Sequence, residues 1–130
     1  MKAGDIMHKP VLAATPQASV RDIAVNLTRN RITGMPVTDR DGTVLGVITE
    51  ADILLALMER KSLETLTAQE IMSKDLVTVD TETALEDVME ILHDEGVLRV
   101  PVTDCGKVVG IISRADVIRA AVDREFLTFE

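Results

Sequence analysis

The two halves of this chain align with one another, and that duplication restricts the fold to an architecture of two equivalent units. At a shift of 65 residues, Ala3, Ile6, Met7, Lys9, Asp22, Leu27, Pro36, Val37, Thr38 and Asp39 fall on Ala68, Ile71, Met72, Lys74, Asp87, Leu92, Pro101, Val102, Thr103 and Asp104. One residue then drops out of a turn, Asp39-Arg40-Asp41-Gly42 shrinking to Asp104-Cys105-Gly106. At a shift of 64, Gly42, Val44, Gly46, Ile48, Ala51 and Asp52 fall on Gly106, Val108, Gly110, Ile112, Ala115 and Asp116. The densest part of the repeat is the stretch G-T-V-L-G-V-I-T-E-A-D at Gly42–Asp52, matched by G-K-V-V-G-I-I-S-R-A-D at Gly106–Asp116.

Composition narrows what such a pair of units can do. The 130 residues are 46% hydrophobic but include only two Phe and no Trp or Tyr, so the core must be aliphatic. A net charge of -8 argues against nucleic acid as a partner, because phosphate backbones are gripped by clustered Lys and Arg. Small anions feel local charge and stay open. The lone Cys105 excludes a disulfide framework and a cysteine metal site, and a thiol in a turn fits a reducing, cytoplasmic setting. No apolar stretch follows Lys2 as a secretory signal would require, and the longest apolar run, Ile53–Met58, is too short to cross a bilayer.

Periodicity predicts the same order of elements in each half. Ala3–Met7 reads as one helical turn and Pro10–Ala14 as extended. Ser19, with Asp22 at the capping-box position, opens a helix carrying Val20, Ile23, Ala24 and Leu27 on one face. Met35–Thr38 and Val44–Ile48 form a hairpin around Asp39–Gly42, and Glu50–Arg60 is a second helix. Val44–Ile48 is apolar throughout, as expected of a strand covered on both faces. After polar Ser62–Thr67 the order restarts: Ala68–Met72, a strand at Leu76–Val79, and a helix capped by Thr83 and Glu86 with core face Leu85, Val88, Met89 and Leu92. A hairpin of Val100–Thr103 and Val108–Ile112 and a final helix Arg114–Arg124 complete it. The fold class is therefore α+β, two β-α-β-β-α repeats at 1–61 and 68–122, a linker at 62–67 and a tail at 123–130.

Neither half of about 60 residues buries much surface alone, so the two are expected to pack about a pseudo-two-fold axis. The helices 50–60 and 114–124 are apolar almost all round, which marks a buried helix. A chain this short has little to bury them with, so a homodimer through these two helices is expected, with Phe126 and Phe129 available to join it. Met7 and Met72 are expected to pack in the core. His8 and His93 share no ligand spacing and read as surface or interface residues, and no metal is expected. Asp80, Glu82, Glu86, Asp87, Glu90, Asp94 and Glu95 read as a solvated acidic face. No nucleophile and base stand at a catalytic spacing, so no enzymatic activity is expected.

Thr49 and Asp52 stand three residues apart where a strand meets a helix, and Ser113 and Asp116 repeat them. The structural meaning of that spacing is a capping box, with Gly46 and Gly110 allowing close backbone approach. The functional meaning is a nucleoside-phosphate grip. A helix start offers unpaired N–H groups and a positive dipole end to phosphate. A carboxylate beside it can accept both hydroxyls of a ribose.

The duplicated I-M, P-V-T-D and G-h-h-G-h-h-T/S-x-A-D pattern resembles a pair of CBS domains, the tandem unit called a Bateman module, from Ala3 to about Ala121. The resemblance implies disc-like dimers that bind adenosine derivatives, with AMP or ATP favoured here and S-adenosylmethionine in the same class, in order to signal to a regulated protein. It assigns the ribose to Asp52 and Asp116, and ribose or phosphate to Thr49 and Ser113. It assigns the base pocket to Ala13 and Ala14, Thr78 and Val79, Gly34, Met35 and Pro36, and Arg99, Val100 and Pro101. Two departures stand out: Ala13 where the family often has Thr or Ser, and Glu50 where the second repeat has Arg114. A guanidinium binds phosphate and a carboxylate repels it, so the site on Thr78, Ser113, Arg114 and Asp116 is expected to be the stronger. The alternatives are a ligand-free dimerisation scaffold, in which both junctions are only caps, and a divalent-cation sensor.

Overall fold

The computed structural model describes residues 1–9 and 11–129, with side chains described up to Asp123. Pro10, Phe126 and Phe129, in the expectations above, lie outside that described set or have side chains outside it. The chain forms two compact units, one of Leu12–Leu76 and one that joins Met1–Val11 to the residues from Val77 onward.

In the Leu12–Leu76 unit, helix α2 (Val20–Asn30) begins at Ser19, whose hydroxyl accepts the Asp22 N–H at 3.1 Å. The helix buries Val20, Ile23 and Leu27, and stops where Arg31 turns left-handed. Strands β1 (Gly34–Thr38) and β2 (Val44–Thr49) pair antiparallel, and helix α3 (Glu50–Met58) follows β2 without a break. Burial along β2 alternates between buried and half-buried, so only one of its faces is fully covered. The expected first strand shrinks to one bridge: Ala14 donates to the Pro36 carbonyl and accepts from Thr38 N–H, both at 2.9 Å. Pro16, with no N–H to give, ends it there.

The other unit holds α1 (Ala3–Ile6), β3 (Val79–Asp80), α5 (Leu85–Asp94), β4 (Arg99–Asp104), β5 (Lys107–Ser113) and α6 (Arg114–Phe129). β3 runs parallel to β4, and β4 antiparallel to β5. Three expectations fail here. The strand read over Leu76–Val79 is only two residues long, at Val79–Asp80. Thr83 and Glu86 do not cap α5: its N-cap is Ala84, and the Thr83 hydroxyl instead accepts the Asp80 N–H at 3.0 Å. Met89, read as core, is exposed. The β4–β5 turn places Cys105 and Gly106 at φ of 53° and 79°, the left-handed pair that a two-residue hairpin loop demands.

The short helices cross over between repeats. α4 (Ala68–Ile71), at the head of the second repeat, belongs to the first unit: Ala68 N–H donates to Ala18 O at 2.9 Å and Gln69 N–H to Pro16 O at 3.0 Å. The first turn of α2 is satisfied from the linking stretch, Val20 N–H donating to Leu66 O and Arg21 N–H to Leu63 O, each at 2.9 Å. In the other unit, α1 does the equivalent work: Leu85 N–H donates to Met1 O at 3.0 Å and Ala3 N–H to Thr83 O at 2.8 Å. The residues after each short helix extend the sheet, with Ser73 pairing Val47 and His8 pairing Ile111. Met72 lies over Gly46 and Met7 over Gly110, where a side chain on either glycine would collide with them.

The two cores repeat position for position. Ala14, Val20, Ile23, Leu27, Met35, Val37, Ile48, Ile53 and Ala68 form one cluster. Their counterparts Val79, Leu85, Val88, Leu92, Val100, Val102, Ile112, Val117 and Ala3 form the other, entirely aliphatic as composition requires.

Candidate functional site

Each strand-to-helix junction is a closed hydrogen-bonded ring. At the first, Asp52 Oδ2 accepts the Thr49 N–H at 2.9 Å and the Thr49 hydroxyl at 3.1 Å, while Thr49 Oγ1 accepts the Asp52 N–H at 3.4 Å. At the second, Asp116 Oδ2 accepts the Ser113 N–H at 2.8 Å and the Ser113 hydroxyl at 3.0 Å, and Ser113 Oγ accepts the Asp116 N–H at 3.2 Å. These are capping boxes in full. They use one carboxylate oxygen each, and all four residues remain partly exposed. The junctions sit still because the backbone on either side is pinned: Glu50 N–H donates to Thr33 O at 2.9 Å and Arg114 N–H to Leu98 O at 3.0 Å.

The second carboxylate oxygen distinguishes the two. Arg119 donates to Asp116 Oδ1 at 3.1 Å from one turn further along α6, whereas Leu55 stands at the matching place in α3. Sequence reading missed this ion pair, although Asp and Arg three apart on a helix is the signal for it. It also missed the capping box at Thr67–Glu70, which runs from the last residue read as linker into the short helix Ala68–Ile71. There Glu70 Oε1 accepts the Thr67 N–H at 3.0 Å and its hydroxyl at 2.9 Å. Those two bonds, the backbone one first, hold the Glu70 carboxyl below its ordinary pKa.

Strand pairing gathers the sequence-predicted residues into two sets, one in each unit. Gly34 lies opposite Thr49, Met35 opposite Ile48 and Pro36 opposite Val47, with Ala14 bridged to the far end of β1. Arg99 lies opposite Ser113, Val100 opposite Ile112 and Pro101 opposite Ile111, with Val79 opposite Val102. Ala14, Met35, Pro36, Val79, Val100 and Pro101 are buried, so their side chains serve the core. Ala13 and Thr78 are exposed, and Arg99 is half-buried. Arg114 is exposed, and its Nε donates to the Val97 carbonyl at 3.1 Å. Its guanidinium is thus tethered by one nitrogen, with its other donors still open to solvent. Glu50 lines a groove of about 700 Å³ between α2 and α3, and Arg114 a smaller one of about 300 Å³ between α5 and α6.

Among the described residues no group of three His, Cys, Asp or Glu converges as metal ligands would, and no helix is long and apolar enough to cross a membrane.

A family model described as CBS domain matches residues 3–59 and 68–123. The chloroplastic CBS domain-containing protein CBSX1 of Arabidopsis thaliana is 35% identical over 136 residues, covering 82% of this chain and 57% of that protein. The L-aspartate semialdehyde sulfurtransferase of Methanocaldococcus jannaschii is 31% identical over 116 residues, covering 88% of this chain. The chain spans only 22% of that enzyme's length. Among solved structures, the CBS domain pair of protein MJ0100 in complex with 5′-methylthioadenosine and S-adenosyl-L-methionine superposes with a TM-score of 0.86 at 29% identity, covering 95% of this chain and 98% of that one. CBSX2 of Arabidopsis thaliana in complex with AMP superposes with a TM-score of 0.84 at 29% identity, with the same coverage.

Proposed function

The chain belongs to the CBS domain family and carries two of its repeats, and on that premise we propose that it is a regulatory module that binds adenosine derivatives and performs no chemistry on them. One observation carries the reading. The same hydroxyl–carboxylate junction is built twice at a helix start, and each leaves a carboxylate oxygen outside the capping ring. A ribose hydroxyl is the donor such an oxygen accepts, and a helix N-terminus suits the phosphate beyond it. Solved CBS domain pairs of similar fold hold AMP, or 5′-methylthioadenosine and S-adenosylmethionine, which supports the adenosine class. The ligand acts by binding one conformation of the module better than another, and so shifts their populations and the affinity for a regulated protein.

The two junctions differ in charge. Arg114 and Arg119 flank Asp116, whereas Glu50 and Leu55 occupy the matching places around Asp52. Phosphate-bearing ligands therefore prefer the Asp116 junction, where a guanidinium released from Asp116 Oδ1 can turn to the phosphate. The Asp52 junction suits adenosine derivatives that are neutral or cationic, such as a thioether or sulfonium. The competing reading, a ligand-free dimerisation scaffold, draws on the completeness of both capping rings.

Thermal unfolding with millimolar AMP, ADP, ATP, S-adenosylmethionine, NAD and GMP separates them. A ligand at 100 times its dissociation constant stabilises by about 2.7 kcal/mol, which raises the midpoint by several degrees. An adenine-specific rise, lost for AMP in Asp116→Ala and for S-adenosylmethionine in Asp52→Ala, is the expected result. A flat response to all six refutes nucleotide binding and leaves the scaffold.

A further inference from the structure

The carboxylate oxygens outside the two capping rings are not equally open. A carboxylate offers about four lone-pair positions, two to each oxygen. In both rings Oδ2 uses two of them, on the backbone N–H and the hydroxyl of Thr49 or Ser113. Asp52 Oδ1 has no partner among the described residues, so both of its positions remain. Asp116 Oδ1 accepts Arg119 Nη1 at 3.1 Å, so only one remains. Holding both hydroxyls of a ribose takes two. Asp52 is therefore ready for a ribose, and Asp116 is one position short. The difference comes from a single place, three residues after each carboxylate, where α3 has Leu55 and α6 has Arg119. The Asp116 side chain is 14% exposed and that of Arg119 67%, so the carboxylate stays in its ring while the guanidinium is able to leave.

We propose that the residue at this place determines whether a junction tells a nucleotide from a nucleoside, with Arg119 as the resident occupant of the ribose seat on Asp116. A neutral nucleoside must break the charge-assisted Arg119 bond to bring both hydroxyls onto Asp116, and it offers the guanidinium no new partner. A nucleotide breaks the same bond but carries a phosphate, with which the released guanidinium pairs beside the helix N-terminus. Arg114 is held for the same phosphate, its Nε donating to the Val97 carbonyl at 3.1 Å and the rest of the side chain exposed. Arg119 thus disfavours adenosine and admits AMP. At Asp52 no side chain has to leave, and Glu50 gives a phosphate no welcome, so that junction takes a bare nucleoside at least as well. The inference rests on the adenosine-binding reading above and assigns the choice within that ligand class to one exposed side chain.

Isothermal titration calorimetry of the full chain with adenosine and with AMP tests it. Asp52→Ala leaves only the Asp116 junction to be read, and Asp116→Ala only the Asp52 junction. In the Asp52→Ala chain AMP is expected to bind more tightly than adenosine. Adding Arg119→Leu tightens adenosine about two- to fivefold, since nothing has to be displaced, and weakens AMP by at least as much, so the preference falls about tenfold. In the Asp116→Ala chain, adding Leu55→Arg weakens adenosine about two- to fivefold. Leu55 and Arg119 are both exposed, so neither change disturbs the core. A structural residue would move both ligands by one factor. If Arg119→Leu shifts adenosine and AMP equally, leaves both unchanged or weakens adenosine, Arg119 is no discriminator, and the adenosine-binding reading stands without it. If neither ligand binds the natural chain, that reading falls, and this inference with it.

Discussion

Gly46 and Gly110 are equivalent in sequence, yet replacing them with alanine has unequal consequences. A Cβ on Gly46 would lie 2.7 Å from the Ser73 carbonyl oxygen and 2.7 Å from Met72 Sδ, about 0.7 Å inside ordinary contact at 3.4 Å. The Ser73 oxygen cannot retreat freely. It accepts the Val47 N–H at 3.0 Å while Ser73 N–H donates to Val47 O at 2.9 Å. Opening the gap loosens both bonds, each worth about 1 kcal/mol net, on top of an overpacking cost of about 1–3 kcal/mol. Gly46→Ala is thus expected to cost about 3–5 kcal/mol. At Gly110 the nearest atoms are all side-chain atoms of Met7, with Cγ at 2.7 Å and Cβ at 2.9 Å. The far end of an unbranched thioether can swing away, and only Met7 Cβ needs a small backbone shift, so Gly110→Ala is expected to cost about 1–3 kcal/mol. Urea unfolding measures both, and amide exchange locates the damage. Val47 protection falls in Gly46→Ala, while Ile111, bonded to His8 O at 3.2 Å, keeps its protection in Gly110→Ala. Adding Met7→Ala should recover part of the Gly110→Ala loss, whereas Met72→Ala should recover little at Gly46. Equal costs at the two sites, or full rescue of Gly46→Ala by Met72→Ala, would refute the argument that backbone is the obstacle there.

Asp52→Ala removes two hydrogen bonds of a cap and should lower stability by about 0.5–2 kcal/mol in chemical denaturation. Asp116→Ala removes the same two and the Arg119 pair, so it should cost a few tenths of a kcal/mol more, and Arg119→Ala alone about that difference. Ser19→Ala should destabilise by about 1 kcal/mol as a true N-cap loss, and Thr83→Ala by visibly less, because Thr83 caps no helix. Glu70 has a folded pKa below its unfolded one, so its contribution is present above the ordinary glutamate range and is lost as pH falls through the folded value. The midpoint advantage of the natural chain over Glu70→Gln should therefore hold at neutral pH and vanish once the pH has fallen below the folded value. An advantage that grows on acidification would contradict the hydrogen bonding from Thr67.

What could be read from residue order alone was whatever depends on neighbours a few positions apart. The apolar spacing of Val20, Ile23 and Leu27 fixes a helix face, and its echo in Leu85, Val88 and Leu92 fixes the second. Thr49 and Asp52, or Ser113 and Asp116, meet across one helical turn, so their spacing alone announces the ring they form. The same local logic misled where a competing partner was near: Thr83 had the position of a cap, but the Asp80 N–H took its hydroxyl. Tertiary structure alone decided which partner completes each element. Nothing in the pattern around Val20 says that its N–H will be taken by Leu66, or that Leu85 will be served by Met1, because one carbonyl arrives from the linking stretch and the other from the opposite repeat's leading segment. Any backbone carbonyl can accept such a bond, so composition carries no trace of the choice. It is made by chain path, which sets Met7 over Gly110 and Met72 over Gly46 and so joins each repeat's head to the other repeat's sheet.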